Sequence, residues 1–114
     1  MGFTNIKTLS ELVLVFVGLV VLPPIFEEII FRGYLYGRVR LWWRFVPTAL
    51  LTSVMFGVVH GQWNVGIDVF ILSLVMCYVR EKFDSIWPSI IMHMLKNGLA
   101  YFLLFIGPLI GISI

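Results

Sequence analysis

The residues of this sequence that could do chemistry are ionisable side chains and one amide that lie within otherwise apolar stretches. In chain order the set is Glu27, Glu28, Arg32, His60, His93 and Asn97. Carboxylates and imidazoles carry protons, and imidazoles and amides donate hydrogen bonds to a developing oxyanion. Together these groups supply what hydrolysis of a peptide bond requires: an activated water, an oxyanion donor and a proton for the leaving amine.

The spacing of these residues indicates shared helix faces. Glu28 and Arg32 are four residues apart, so on a helix their carboxylate and guanidinium can form an ion pair. The same spacing relates His93 to Asn97. Ionisable groups at membrane depth cost roughly 2.5–3.5 kcal/mol each on insertion scales, so they are usually paired and functional.

Hairpin geometry brings groups from separate segments to a similar depth. The midpoint of Glu27 and His60 in the sequence falls at Trp43 and Arg44, a turn that the composition indicates independently. Two antiparallel helices joined there place both side chains roughly 25 Å from the turn. His93 lies roughly 13 Å, and the residue four positions later roughly 20 Å, from the next polar turn, which we predict at residues 80–84. Tilt and a proline kink can absorb the difference, so we expect one intramembrane pocket.

The composition identifies the surroundings of these helices. The chain has 114 residues, of which 61% are hydrophobic and 12% charged, and its mean hydropathy is +1.03. A soluble domain has about 25% charged residues, so a soluble monomer and a disordered chain are both excluded. The single cysteine, Cys77, excludes a disulfide scaffold. The sequence therefore predicts a polytopic membrane protein.

Four apolar segments predict an all-α membrane bundle of about four spans within a single domain, residues 1–114. The segments cover residues 12–26, 45–62, 63–79 and 86–114. Each is a span or most of one, since a crossing takes about 20 residues. Pro23 and Pro24 remove two backbone donors, so we expect the first helix to break or kink there. The basic residues at positions 38, 40 and 44 indicate a membrane-proximal loop, and no nucleic-acid partner is expected.

Three short motifs resemble those of the CPBP intramembrane proteases, the CAAX prenyl endopeptidase and bacteriocin-processing family that is also called Abi. Glu27–Arg32 fits the Glu-Glu-x-x-x-Arg motif of that family, Phe56–His60 its Phe-x-x-x-His motif and His93–Asn97 its His-x-x-x-Asn motif. The motifs occur in the family's order on apolar segments, and the resemblance covers about residues 24–104. It implies a CAAX-type intramembrane endopeptidase of the glutamate type.

The chemistry of the residues and the resemblance assign the same roles. Glu27 together with His60 activates the water, because burial raises the proton affinity of a carboxylate. Glu28 is held by Arg32 and orients the site. The histidine and the asparagine of the third motif donate hydrogen bonds to the oxyanion, and Phe56 lines the pocket wall.

Zinc is the competing chemistry, because two histidines and two glutamates could bind it. The His-Glu-x-x-His signature of zinc proteases is absent, and neither a pair of histidines nor a His–Glu pair lies on one helix at ligand spacing. We therefore expect a site without metal or cofactor and keep zinc as the alternative.

The expected function is cleavage of a hydrophobic or lipidated peptide, such as a prenylated CAAX sequence, in the lipid bilayer of a prokaryotic cell membrane. The alternative is a non-enzymatic bacteriocin-immunity or scaffold protein with the same fold. An ion or proton pathway is a third interpretation, although a four-span monomer offers little room for one. The small residues between Gly107 and Gly111 could pack on a second copy of the chain.

Overall fold

The computed structural model describes residues 8–59 and 63–111 and, for residues 63–66, the backbone alone. Four helices account for nearly all of these residues: α1 (Leu9–Arg40), α2 (Phe45–Val59), α3 (Trp63–Phe83) and α4 (Trp87–Ile110). No strand occurs in the described ranges. The predicted all-helical fold with about four helices is therefore confirmed.

The two prolines of α1 change its hydrogen-bond pattern without ending the helix. Val17–Val21 form a π segment in which the Leu22 N–H donates to the Val17 carbonyl. Because proline has no N–H, the α-helical ladder cannot continue unchanged through positions 23 and 24. A second π segment covers Ile29–Leu35. The predicted interruption of the first helix thus takes the form of a widened turn within one continuous helix.

Polar side chains mark where α1 begins and where α3 ends. The Thr8 hydroxyl accepts from the Glu11 N–H at 3.2 Å, and the Glu11 carboxylate accepts from the Thr8 N–H at 3.3 Å. This capping box satisfies backbone donors that a helix start leaves without partners. Residues 41–44 form the predicted turn after α1, whereas residues 80–83, predicted as part of a turn, belong to the last turn of α3. The chain leaves α3 at Asp84, whose φ of 49° is left-handed.

The chain divides into two compact units. The first contains residues 8–26 and 91–111 of the described ranges. Within it, the Tyr101 ring meets Phe16 edge to face at 5.3 Å, and the Tyr101 hydroxyl donates to the Leu12 carbonyl at 2.8 Å. The prediction of a single domain stays a prediction.

The second unit contains residues 27–59 and 63–90, and its largest helix contact joins α2 to α3. Tyr36, Ala49 and Cys77 form its buried apolar core. Small hydroxyl side chains are buried in the same unit: Thr48, Thr52, Ser53, Ser73 and Ser89. Small residues let helices approach closely within a membrane, where the burial of apolar surface gives little drive for association.

The distribution of apolar surface fits a lipid environment. With 32 and 24 residues, α1 and α4 are long and apolar enough to cross a membrane, whereas the apolar helix α2 has 15 residues. Leu14, Val58 and Leu95 are 72%, 71% and 68% exposed, while Glu28 and Arg32 are fully buried. A protein surrounded by lipid requires this arrangement, with apolar side chains outside and charges inside.

Candidate functional site: a buried guanidinium and its partners

Arg32 is the centre of a buried polar cluster in the second unit. Its Nη1 lies 3.1 Å from Glu28 Oε2, one turn earlier on α1, and both side chains are fully buried. Its Nη2 donates to the hydroxyl of Ser73 on α3. The guanidinium carbon lies 4.3 Å from the centre of the Phe56 ring on α2. The predicted ion pair is therefore present, and three helices hold its guanidinium.

The partners of Arg32 compensate for the loss of water around a charge. The Glu28 carboxylate neutralises the guanidinium at contact distance. The electron-rich face of the Phe56 ring adds a cation–π contact. Phe31 meets Phe56 edge to face at 5.0 Å and fixes the orientation of that ring. Residues of the first and second motifs thus form one contact group.

The π segment of α1 keeps these side chains on one face. Glu28, Arg32 and Tyr36 are spaced by four residues, and all three are buried. In an α-helix of about 3.6 residues per turn, side chains four residues apart point in directions that differ by roughly 40°. Two such steps would therefore turn Tyr36 roughly 80° away from Glu28. The π segment Ile29–Leu35 has more residues per turn than an α-helix, so the three side chains stay on one face.

Arg80 compensates for a hydrogen bond that this π segment gives up. In an α-helix the Tyr36 N–H would donate to the Arg32 carbonyl, but here it donates to the Phe31 carbonyl. The Nε of Arg80 on α3 donates to the Arg32 carbonyl at 3.1 Å. Arg32 is thus anchored through its main chain as well as its side chain.

Glu27, the predicted base, precedes the ion pair on α1 and is half-buried. Successive helix residues point about 100° apart, so Glu27 faces a different side of α1 from Glu28. His60 lies outside the described residues, and its partnership with Glu27 stays a prediction. Of the second motif, Phe56 is the residue that the structure places in the cluster.

The third motif lies on α4, in the first unit. His93 is buried, and Asn97, one turn later, is half-buried. The Nδ2 of Asn97 donates to the Leu19 carbonyl on α1 at 2.9 Å. The predicted role of both residues as oxyanion donors stays a prediction, for which the Asn97 amide keeps a second N–H.

The Leu19 carbonyl takes this donor because of the two prolines. Its backbone partner would be residue 23 in an α-helix and residue 24 in a π-helix, and both are proline. The side chain of Asn97 therefore replaces an N–H that α1 lacks. In lipid every backbone polar group must find such a partner within the protein.

A second polar cluster joins the ends of α1 and α3 in the second unit. The Arg40 Nε and Nη2 lie 3.0 and 3.2 Å from the two carboxylate oxygens of Glu81, and the Tyr36 hydroxyl donates to the same carboxylate. Glu81 lies beyond the apolar part of α3. The hydrogen bonds from Arg40, and then from Tyr36, hold the pKa of its carboxyl below the usual range.

Ser73, Arg80 and Glu81 are partners of α1 that the sequence did not indicate. A serine within an apolar helix is common in membrane proteins, so Ser73 carries no signal of its own. Helical periodicity is the signal that could have found them, because positions 73, 77, 80 and 81 fall on one face of a helix.

Within the described ranges, no three histidine, cysteine or carboxylate side chains gather where they could hold a metal ion. His60, which belongs to the set considered for zinc, lies outside those ranges. The site without metal therefore stays a prediction, with zinc as its alternative.

Membrane-length helices, an apolar exterior and a buried ion pair define the class: this is a helical membrane protein with a polar site in its interior. The finer assignment comes from comparison with known families. The chain matches the family described as type II CAAX prenyl endopeptidase Rce1-like over residues 9–99, and it belongs to that family. The match includes all three motifs, so the resemblance seen in the sequence is confirmed.

Two curated proteins resemble the chain at low identity. A Bacillus subtilis protein named "Putative membrane peptidase YdiL" is 29% identical over 77 residues, which cover 68% of this chain and 32% of that protein. An Escherichia coli protein named "Uncharacterized 24.3 kDa protein" is 26% identical over 93 residues, which cover 77% and 43%. The chain thus spans about a third to two-fifths of the length of these relatives. No solved structure matches the chain.

Proposed function

We propose that this chain is an intramembrane endopeptidase that hydrolyses a peptide bond with a water activated by Glu27 and His60. The observation that carries the proposal is the contact group of Glu28, Arg32 and Phe56, in which two motifs meet around one buried guanidinium. Membership of a family of prenyl endopeptidases supports the reaction class.

The two adjacent glutamates have different surroundings and so support different roles. Glu28 is fully buried and bound to Arg32, so its carboxylate is committed to holding the site together. Glu27 is half-buried, and a carboxylate with partial access to its surroundings suits a general base that must meet water and substrate.

In the proposed reaction Glu27, assisted by His60, takes one proton from the water as it attacks the substrate carbonyl. His93 and Asn97 donate hydrogen bonds to the oxyanion that forms. Glu27 then returns the proton to the leaving amine as the carbon–nitrogen bond breaks. The support for these assignments is the motif spacing, the family, and the second N–H that Asn97 keeps after binding Leu19.

The proposed substrate is a hydrophobic peptide presented within the bilayer, with prenylated CAAX-type peptides as the first class to test. The family description, which names prenyl endopeptidases, supports that choice. We also propose a multi-pass protein of a prokaryotic cell membrane, because four helices are present and both relatives are bacterial. A second copy of the chain is the proposed protein partner.

Cleavage of quenched fluorescent peptides, one prenylated and one plain, by the purified protein in liposomes tests the proposal. Glu27→Gln and His60→Ala should each lower turnover at least about a hundredfold, because general acid–base catalysis contributes roughly 10²–10⁴-fold. Asp68→Asn is the matched control: Asp68 is an exposed acid on α3, outside the proposed site, and the variant should keep wild-type turnover.

A chelator should leave turnover unchanged, and loss of turnover with chelator would support the zinc alternative instead. Equal turnover by wild type and Glu27→Gln would refute the assigned base. A folded wild type that cleaves neither peptide would favour the non-enzymatic alternative, an immunity or scaffold protein.

A further inference from the structure

We propose that Ser73 is a positioning residue, whose hydroxyl fixes the Arg32 guanidinium and through it the Glu28 carboxylate. The catalytic consequence of this role rests on the proposed function. Ser73 and Arg32 are both fully buried, and their hydrogen bond joins α3 to α1. Ser73 belongs to none of the three motifs.

The shape of the guanidinium explains why one hydroxyl matters. Arginine presents a planar, rigid fork of N–H groups. Nη1 meets Glu28, and the Phe56 ring lies against the guanidinium. An ion pair through one nitrogen leaves the fork able to pivot about that contact. The hydrogen bond from Nη2 to Ser73 is a second anchor that removes this freedom.

The surroundings offer only a weaker substitute for the Ser73 hydroxyl among the described residues: the Cys77 thiol also lies beside the Arg32 guanidinium, and sulfur is a weak hydrogen-bond acceptor. The Nε of Arg32 has no hydrogen-bond partner among the described residues, so its side-chain hydrogen bonds there are those of Nη1 and Nη2. Arg32 is fully buried and therefore has no bulk water to take the place of a lost acceptor. Without Ser73 the guanidinium must turn to find another partner, which changes the geometry of its ion pair with Glu28.

Ser53 provides a matched control on α2. It is as fully buried as Ser73, but its hydroxyl lies 3.9 Å from the Cys77 sulfur, which is a weak hydrogen-bond partner. Ser53→Ala and Ser73→Ala therefore remove the same atom from the same depth of packing. They differ in whether that atom holds Arg32.

Kinetics of peptide cleavage test the catalytic consequence. Ser73→Ala should lower kcat by about 10- to 100-fold, because small misplacements of positioned groups cost that much. KM should stay within about threefold, because the substrate contacts are retained. Ser73→Thr keeps the hydroxyl and should recover most of the activity. A Ser73→Ala variant that matches Ser53→Ala, or a Ser73→Thr variant no better than Ser73→Ala, would overturn the proposal.

Thermal unfolding in micelles tests the hold on Arg32 independently of catalysis. Ser73→Ala should lower Tm by several degrees in the wild-type chain. It should change Tm much less in a Glu28→Leu, Arg32→Leu background, where apolar side chains replace the ion pair. Equal shifts in the two backgrounds would overturn the proposal. If no variant or wild type cleaves peptide while the shifts differ, the proposed function fails and the hold of Ser73 on Arg32 stands.

Discussion

Asn97→Ala should destabilise the protein because α1 contains two prolines. The substitution removes the donor that lies 2.9 Å from the Leu19 carbonyl. That carbonyl cannot return to a backbone partner, since positions 23 and 24 both lack an N–H. The carbonyl is therefore left without a donor in an apolar environment.

The expected cost follows from what the Leu19 carbonyl loses. Hydrogen bonds between membrane helices are worth about 0.6 kcal/mol on average and up to about 1.7 kcal/mol, because the same groups also find partners when the protein is unfolded within the membrane. Here the prolines remove the nearest alternatives. We therefore expect Asn97→Ala to lower the free energy of unfolding by about 1–1.7 kcal/mol, at the upper end of that range.

Pro23→Ala makes this reasoning testable, because it returns an N–H at the α-helical position for Leu19. In that background the cost of Asn97→Ala should fall below about 0.5 kcal/mol, which gives a coupling of about 1 kcal/mol between two residues on different helices. Reversible unfolding in mixed micelles, followed by circular dichroism, measures the free energy of unfolding of the wild type, the two single variants and the double variant. Lys96→Ala, at an exposed neighbour on α4, is the control and should cost the same in both backgrounds.

An Asn97→Ala cost that is equal with and without Pro23 would refute the idea that the amide replaces a missing backbone donor. Activity provides a second measurement, which rests on the proposed function. The Pro23→Ala, Asn97→Ala double variant should regain stability without regaining turnover, because the proposed oxyanion donor is still absent. Recovery of both would contradict the catalytic assignment of Asn97.

Three further predictions concern the second unit. Arg32→Lys should lower the free energy of unfolding by about 1.5–3 kcal/mol, because an ammonium cannot match the fork that meets Glu28 and Ser73; an unchanged denaturation midpoint would contradict this. Phe56→Leu should cost about 0.5–2 kcal/mol more in the wild-type chain than in an Arg32→Leu background, because the cation–π contact is present only in the first; equal costs in the two backgrounds would contradict this. The fold lowers the pKa of Glu81, so its carboxylate stabilises the protein fully above the ordinary glutamate pKa of about 4.3. This stabilisation is lost as the pH falls through the lowered pKa. Between pH 6 and pH 3 the Tm should therefore fall less for Glu81→Gln than for the wild type. An equal fall in Tm would show that the Arg40 contact does not stabilise the fold.

The sequence predicted what depends on local spacing and composition. The ion pair of Glu28 and Arg32 follows from a separation of four residues on a helix. The all-helical fold follows from the need to satisfy backbone groups in lipid. The hydrogen bond from Arg32 to Ser73 joins residues 41 positions apart, and one serine among apolar residues gives no indication of which helix it faces.

The π segments could not be predicted for a different reason. Pro23 and Pro24 show that backbone donors are missing, but they do not show whether the chain breaks, kinks or widens a turn. That choice depends on which neighbouring helix offers a replacement donor. Asn97 supplies one in the structure, whereas its position four residues after His93 indicated only a shared helix face.

The backbone of α1 changes how the loss of activity in a variant should be interpreted. Two carbonyls of α1 that lose a backbone donor are met by a side chain from another helix: Asn97 donates to Leu19, and Arg80 donates to Arg32. In lipid no water is present to bind these carbonyls, so residues near the motifs have a structural role whether or not they also have a catalytic one. Loss of activity in Asn97→Ala is therefore not evidence for an oxyanion donor by itself. It becomes evidence only when the backbone donor is restored and the activity is still missing.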